Sequence, residues 1–284
     1  LWFRWQQLHP GFRPRSTRMS ALEVAIEGMG LWAPGWRDWT TARSGLLGEA
    51  EADAGVTRPS ADLLPPAERR RAPMPVLLAC DVASQACAQA GRALDSLPSV
   101  FVSTHGDLQI TDYMCSTLAG APRELSPIRF HNSMHNAPAG YWTIAAQCHQ
   151  ATTSISSWHC SLANALLEAA VQVLGEKSPV LLAAYDAQST EILSAVSPSD
   201  CLFGVAMVIA APRSGLPRLR LQPGMRAAAE PDAAPIPQSF QKLARENPMA
   251  AQAMPLLAAL AAGVPSRMQL PSGAASGLQI EVLP

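Results

Sequence analysis

Five residues, Ser156-Ser157-Trp158-His159-Cys160, form a polar turn ahead of a long apolar segment that runs from Ser161 to Leu174. That segment reads as a buried helix, which puts the turn at a helix N-terminus. Helix-end N–H groups and the macrodipole stabilise negative charge there. A thiol or imidazole on such a turn is placed for nucleophilic acyl transfer. Cys160 and His159 are therefore the catalytic candidates. Each also has a plainer reading. Cysteine is a common small core residue, and a histidine at a helix start can simply bond locally. Trp158 can plug a channel or pack into the core, and its size makes it a poor neighbour for a long acyl chain.

Other clusters are weaker. Cys148-His149 and His159-Cys160 are adjacent pairs, which lack the C-x2-C or H-x3-H spacing of a zinc site. His131 and His135 are four apart, but Asn132, Asn136 and Pro138 favour a loop, where that spacing carries no metal geometry. The two histidines are expected to hold the Asn136–Gly140 loop through backbone hydrogen bonds. No metal or cofactor is expected. The chain has no G-x-S-x-G, P-loop or G-x-G-x-x-G motif, so hydrolase and nucleotide readings have no support.

The elements that must position the turn follow from patterning. Leu22 to Gly30 alternates and ends in glycines, as a strand does. Trp32, Trp36 and Trp39 fall in a Pro/Gly loop and a short helix. Pro75 to Leu94 reads as a helix, with Val76, Ala79, Cys80, Ala83, Cys87 and Ala90 as a small-residue stripe that packs closely. Ser99–Thr104, Val180–Tyr185 and Leu202–Ala210 are short apolar strands. Asp112–Leu118 is a short helix. The Asn136 loop leads into an apolar run, Trp142–Ala146, that fits strand or helix. Beyond Ala211 the chain becomes rich in Pro, Ala and Arg. A helical stretch from Gln238 to Gly263 is interrupted by Pro248 and Pro255, and Leu278–Leu283 is a final strand. The sum is a layered α/β fold.

Composition narrows the partners. The net charge of −1 gives no sign of nucleic acid, and no apolar run reaches membrane-spanning length. Six cysteines scattered through apolar segments fit free thiols in a reducing cytoplasm. Residues 1–18 are basic and aromatic without an apolar core, unlike a signal peptide, and Met19 looks like a natural start. They are set aside as an extension. Residues 19–215 form the main domain, and residues 216–284 a reduced segment with one or two helices and a final strand.

Together these residues resemble the N-terminal half of a β-ketoacyl synthase, with the thiolase-type layered αβα fold. Leu22–Gly30 matches its opening strand, and Arg69–Gly91 the helix before the strand at Val100–Ser103. Asn136-Ala137-Pro138-Ala139-Gly140 matches its Asn-x-x-Ala-Gly element. Ser154–Leu174 matches the nucleophile turn with its central helix, and Leu202–Ile209 the strand that follows. FHNSMHNAPAGYW more narrowly resembles the half-length synthase-like proteins of aryl polyene and xanthomonadin-type pigment pathways.

The departures carry as much as the match. The family's nucleophile is a cysteine at the turn. Counting from Asn136 puts His159 at that position, and counting back from Gly175 puts Trp158 there. Cys160 lies one or two residues away, and one residue at a helix start turns a side chain by about 100°. Cys160 is thereby expected to point away from an acyl pocket. The family also draws two histidines, or His and Asn, from its second half, and no histidine follows His159 here.

The resemblance therefore implies a catalytically incomplete, chain-length-factor-like subunit in polyketide or fatty-acid-type elongation. Its partner would be a full-length ketosynthase, in a heterodimer. An acyl carrier protein would dock at Arg69, Arg70 and Arg71, which otherwise read as a solvated charge run. Asn136, Gly140, His135 and Ser157 would lie at the pocket and interface. Two alternatives stay open. One is a stand-alone acyl-carrier decarboxylase or acyltransferase using His159 and Cys160, with His105 or His135 nearby. The other is a homodimeric acyl-binding module.

Overall fold

The computed structural model describes residues 21–225 and 235–284, so the extension expected at residues 1–18 lies outside the described residues. The chain opens with strand β1 (Leu22–Trp32), followed by helices α1 (Trp39–Leu46), α2 (Pro66–Arg71) and α3 (Met74–Ala90). Strand β2 (Ser99–Val102) leads to α4 (Leu108–Gly120), α5 (Pro127–Asn132) and α6 (Ala137–Ala145). Strand β3 (Thr152–Ile155) and a 3-10 turn, Trp158–Cys160, precede α7 (Ser161–Glu176). Then come β4 (Val180–Asp186), β5 (Phe203–Ala210), β6 (Arg218–Met225), α8 (Gln238–Glu246), α9 (Pro248–Ala262), β7 (Ser266–Pro271) and β8 (Ser276–Leu283).

The strands form one eight-stranded sheet in the order β3-β2-β4-β5-β1-β6-β8-β7. β3, β2 and β4 run parallel, and every other neighbouring pair is antiparallel. Alternate strand residues enter separate cores, as a period of two requires. Phe101, Leu181, Ala183 and Val208 pack with α3 and with Trp142 of α6. Val100, Leu182, Val205 and Met207 pack with α7 and α9 on the other face. This is the expected layered αβα arrangement.

Gly28 and Gly30 explain how α3 lies so close to β1. A Cβ on Gly30 would sit 2.1 Å from the carbonyl oxygen of Val82, and one on Gly28 2.4 Å from that of Ala86. The small stripe on α3 completes the approach. Gln85 and Gln89 of that helix accept hydrogen bonds from the N–H groups of Leu31 and Met29, near a register shift in β1.

Two expectations change. Asn136 to Gly140 is no loop: Asn136 is the N-cap residue of α6, with Pro138 in the first turn, where a missing N–H costs nothing. The apolar run is thus a helix, and the strand ahead of the turn is the more polar Thr152–Ile155. The C-terminal segment holds α8, α9 and three strands rather than one, and its β6 pairs directly with β1.

Candidate functional site

The turn sits at the C-terminal end of β3, pinned by hydroxyl groups. Ser156 donates to the Thr104 carbonyl at 2.6 Å, and Ser161 to the Ser103 carbonyl at 3.2 Å. The Ser157 N–H donates to Ser161 Oγ at 2.9 Å, and the Cys160 N–H to the Ser157 carbonyl at 2.9 Å. These bonds hold Trp158 in the left-handed region, at φ 52°, with 51% of its surface exposed. Such a backbone is costly for a bulky residue and persists only when its surroundings fix it.

The His159 ring stacks on the indole at 4.5 Å, and the His105 ring lies 6.1 Å from it on a tilt. His159 is exposed and Cys160 half-buried. Burial, and then the charge of His159, hold the His105 imidazole below its usual range, and its buried Nε2 has no partner among the described residues. Cys160 is the N-cap residue of α7 but makes no capping bond. The Leu162 N–H, one turn in, donates instead to Gln252 Oε1 of α9 at 3.0 Å.

Two cavities lie nearby, and they divide the expected pocket residues. The smaller, about 80 Å³, is lined by His105, Asp107, Thr111, Asn132, His135 and Tyr185 beyond the ends of β2 and β4. Burial raises the Asp107 carboxyl, although it caps α4 by accepting from Ile110 N–H. The larger is an open groove of about 890 Å³ between α2, α5 and α6, where Ile128, Met134, Tyr141 and Ile144 meet Arg71 and His131. Asn136 and Gly140 line the groove, whereas His135 lines the small cavity. His159 and Cys160 line neither.

The three arginines differ in availability. Arg69 is paired with Asp62 and also donates to the Ser60 carbonyl. Arg70 and Arg71 are exposed, and Arg71 opens on the groove. Cys148 is buried against the Leu97 carbonyl, while His149 is exposed. Among the described residues no three His, Cys, Asp or Glu side chains converge as a metal site. All six cysteines are free, and burial pushes the thiols of Cys80, Cys87 and Cys201 up to about 12. No helix of the described residues is long and apolar enough to cross a membrane.

Two participants escape a reading by motif. Gln252 has no local signature, because its partner is 90 residues away. Asp186 is fully enclosed at the end of β4, where burial pushes its carboxyl up to about 6 despite hydrogen bonds from Thr104 N–H and hydroxyl. Only Asn247-Pro248 announced this region, as an N-cap followed by proline at the first helical position.

Comparison with known proteins places this geometry. The family described as β-ketoacyl synthase, N-terminal domain, matches residues 36–269. Among solved structures, the ketosynthase ApeO in complex with its chain length factor ApeC, from Xenorhabdus doucetiae, is similar at TM-score 0.67 and 20% identity, over 92% of this chain and 99% of that one. The ishigamide ketosynthase/chain length factor gives 0.66 at 15% identity, over 92% and 99%. AntDE:AntF, a type II acyl-carrier protein in complex with its ketosynthase, gives 0.69 at 10% identity, over 93% and 99%. At these identities the likeness establishes the fold. No curated protein matches the sequence.

Proposed function

The chain belongs to the family of the β-ketoacyl synthase N-terminal domain, and from that premise we propose that it is a non-catalytic, chain-length-factor-like subunit of a ketosynthase. The observation that carries this reading is the turn. Trp158 and His159 stand outward at the position of the family's nucleophile, and Cys160 is spent as a helix N-cap. No histidine follows to support decarboxylation. The elongating cysteine and its histidines then belong to a complete ketosynthase partner.

Two surfaces support a partner. The sheet has two edges, and they differ. β7 carries the exposed Arg267 and ends on Pro271, both of which discourage pairing. β3 is Thr-Thr-Ser-Ile, with neither charge nor proline. An unguarded edge invites another strand. Ile144 is 80% exposed, and Ile128, Phe130 and Met134 are more than half exposed, an apolar surface larger than scattered single residues give. Acyl groups would arrive on an acyl carrier protein whose acidic face meets Arg70 and Arg71, with Arg69 held back by Asp62. The similar structures include ketosynthase pairs with chain length factors and one with a carrier protein, which favours this assignment. An aryl polyene or xanthomonadin-type product fits the Phe130–Trp142 stretch.

The test separates the subunit from an enzyme in its own right. In a complex with a full-length ketosynthase, changing His159→Ala and Cys160→Ala together leaves carrier-dependent elongation within twofold of the unchanged complex, as expected for side chains outside the reacting centre. Loss of elongation on the double change, with the complex intact, assigns the chemistry to this chain instead.

A further inference from the structure

A helix N-cap residue ordinarily turns its own side-chain acceptor onto the N–H of the second or third helical residue. Cys160 occupies the N-cap of α7 and makes no such bond. The N–H it would take, that of Leu162, is bound by Gln252 Oε1 from the far end of the chain. Gln252 is 7% exposed, and its own amide nitrogen donates to the Pro248 carbonyl at 3.2 Å, one turn back on α9. The start of α9 is fixed in turn. Asn247 accepts from the N–H groups of Met249 and Ala250 and donates to the Cys201 carbonyl at 2.9 Å. The acceptor is therefore held by a packed helix.

We infer that Gln252 is an internal stopper: it occupies the N–H group at the α7 N-terminus that would otherwise stabilise a negatively charged sulfur on Cys160, so the C-terminal part of the chain keeps this turn chemically inert. The reason is general. A thiolate is the reactive form of cysteine, and helix N-termini favour it. A neutral amide oxygen already bound there removes that donor from the thiol. The inference stands on this contact and does not require the subunit reading to hold.

Alkylation of the full chain by iodoacetamide, followed site by site by mass spectrometry, tests it. Cys115 is exposed on α4 and serves as the internal reference. Gln252→Ala is expected to raise the rate at Cys160 relative to Cys115 by about tenfold near neutral pH, and to move the pH midpoint of the reaction down. Gln252→Glu keeps an acceptor and adds negative charge, so it leaves Cys160 as slow as in the unchanged chain, or slower. If Gln252→Ala does not fold, Gln252→Met fills a similar volume without an acceptor and takes its place. An unchanged Cys160-to-Cys115 ratio and midpoint in a folded Gln252→Ala or Gln252→Met chain overturns the inference. So does equal acceleration by the Ala and Glu variants, because that reports general loosening.

Discussion

Trp158 shows how one residue can give up a reaction and keep a position. Its left-handed backbone, φ 52°, is where a glycine would sit at ease, yet the position carries the largest side chain available. Two effects oppose each other on changing it. Relieving a left-handed L-residue gains about 1 kcal/mol, and losing the stack on His159 forfeits roughly 1 kcal/mol. Trp158→Gly is thus expected to leave unfolding stability within about 1 kcal/mol in urea denaturation. An exposed tryptophan at an interface is often a hot spot, so the same change should weaken association with the ketosynthase by at least about tenfold.

A second residue governs pH. The Asp186 carboxyl is raised to about 6 by burial, the Thr104 hydrogen bonds only partly offsetting it. Its stabilising contribution is therefore complete below the unfolded carboxyl value and is lost as pH rises through about 6. The size is about 3 kcal/mol, from a rise of roughly two pH units. Relative to the unchanged protein, Asp186→Asn should gain stability by that order between pH 4 and 6.5, seen in denaturation curves at each pH. A flat difference across this range would remove the assignment. His105 works the other way, since its depressed imidazole favours folding above its unfolded value.

At the scale of elements, the edge of the sheet matters most. A lysine on an edge strand costs a monomer little but opposes strand addition. Ser154→Lys should shift stability by no more than about 0.5 kcal/mol and abolish co-elution with the ketosynthase. Retained co-elution would move the interface away from β3.

Legibility from sequence follows the same scale. β1, α3, α7, β4 and β5 could be read because each is long or strongly apolar. α6 could not, because a short apolar run fits either period, and its cap, Asn136, looks like a loop residue. β6 was hidden by its own exposure: Arg218 and Arg220 face outward to pair with Glu23, so Arg218-Leu219-Arg220-Leu221 blends into a polar segment. The turn itself was legible in residue type. Its neighbours were not, since His105, Thr104 and Gln252 reach it only through the fold.

At the scale of the whole molecule, one sheet runs from the unguarded β3 through the family's core to β6, β8 and β7. The outer row Glu23, Arg220, Glu281, Arg267 alternates in charge across four strands and lets that end face water. Glu281 is held below the usual carboxylate range, chiefly by its hydrogen bond from Arg267. The opposite end exposes Ile144, Ile128 and Met134 around the groove. Polarity at one end and apolar surface at the other describe a subunit with one covered side. Ile144→Asp should accordingly leave the chain folded, since the side chain is 80% exposed, and weaken the complex by about tenfold or more.

The most direct measurement is co-expression of the chain with a full-length ketosynthase from the same genome, size-exclusion chromatography of the product, and a carrier-dependent elongation assay. The account predicts a stoichiometric complex that elongates only when both chains are present. A stable dimer of this chain alone, with no affinity for the ketosynthase, would contradict it.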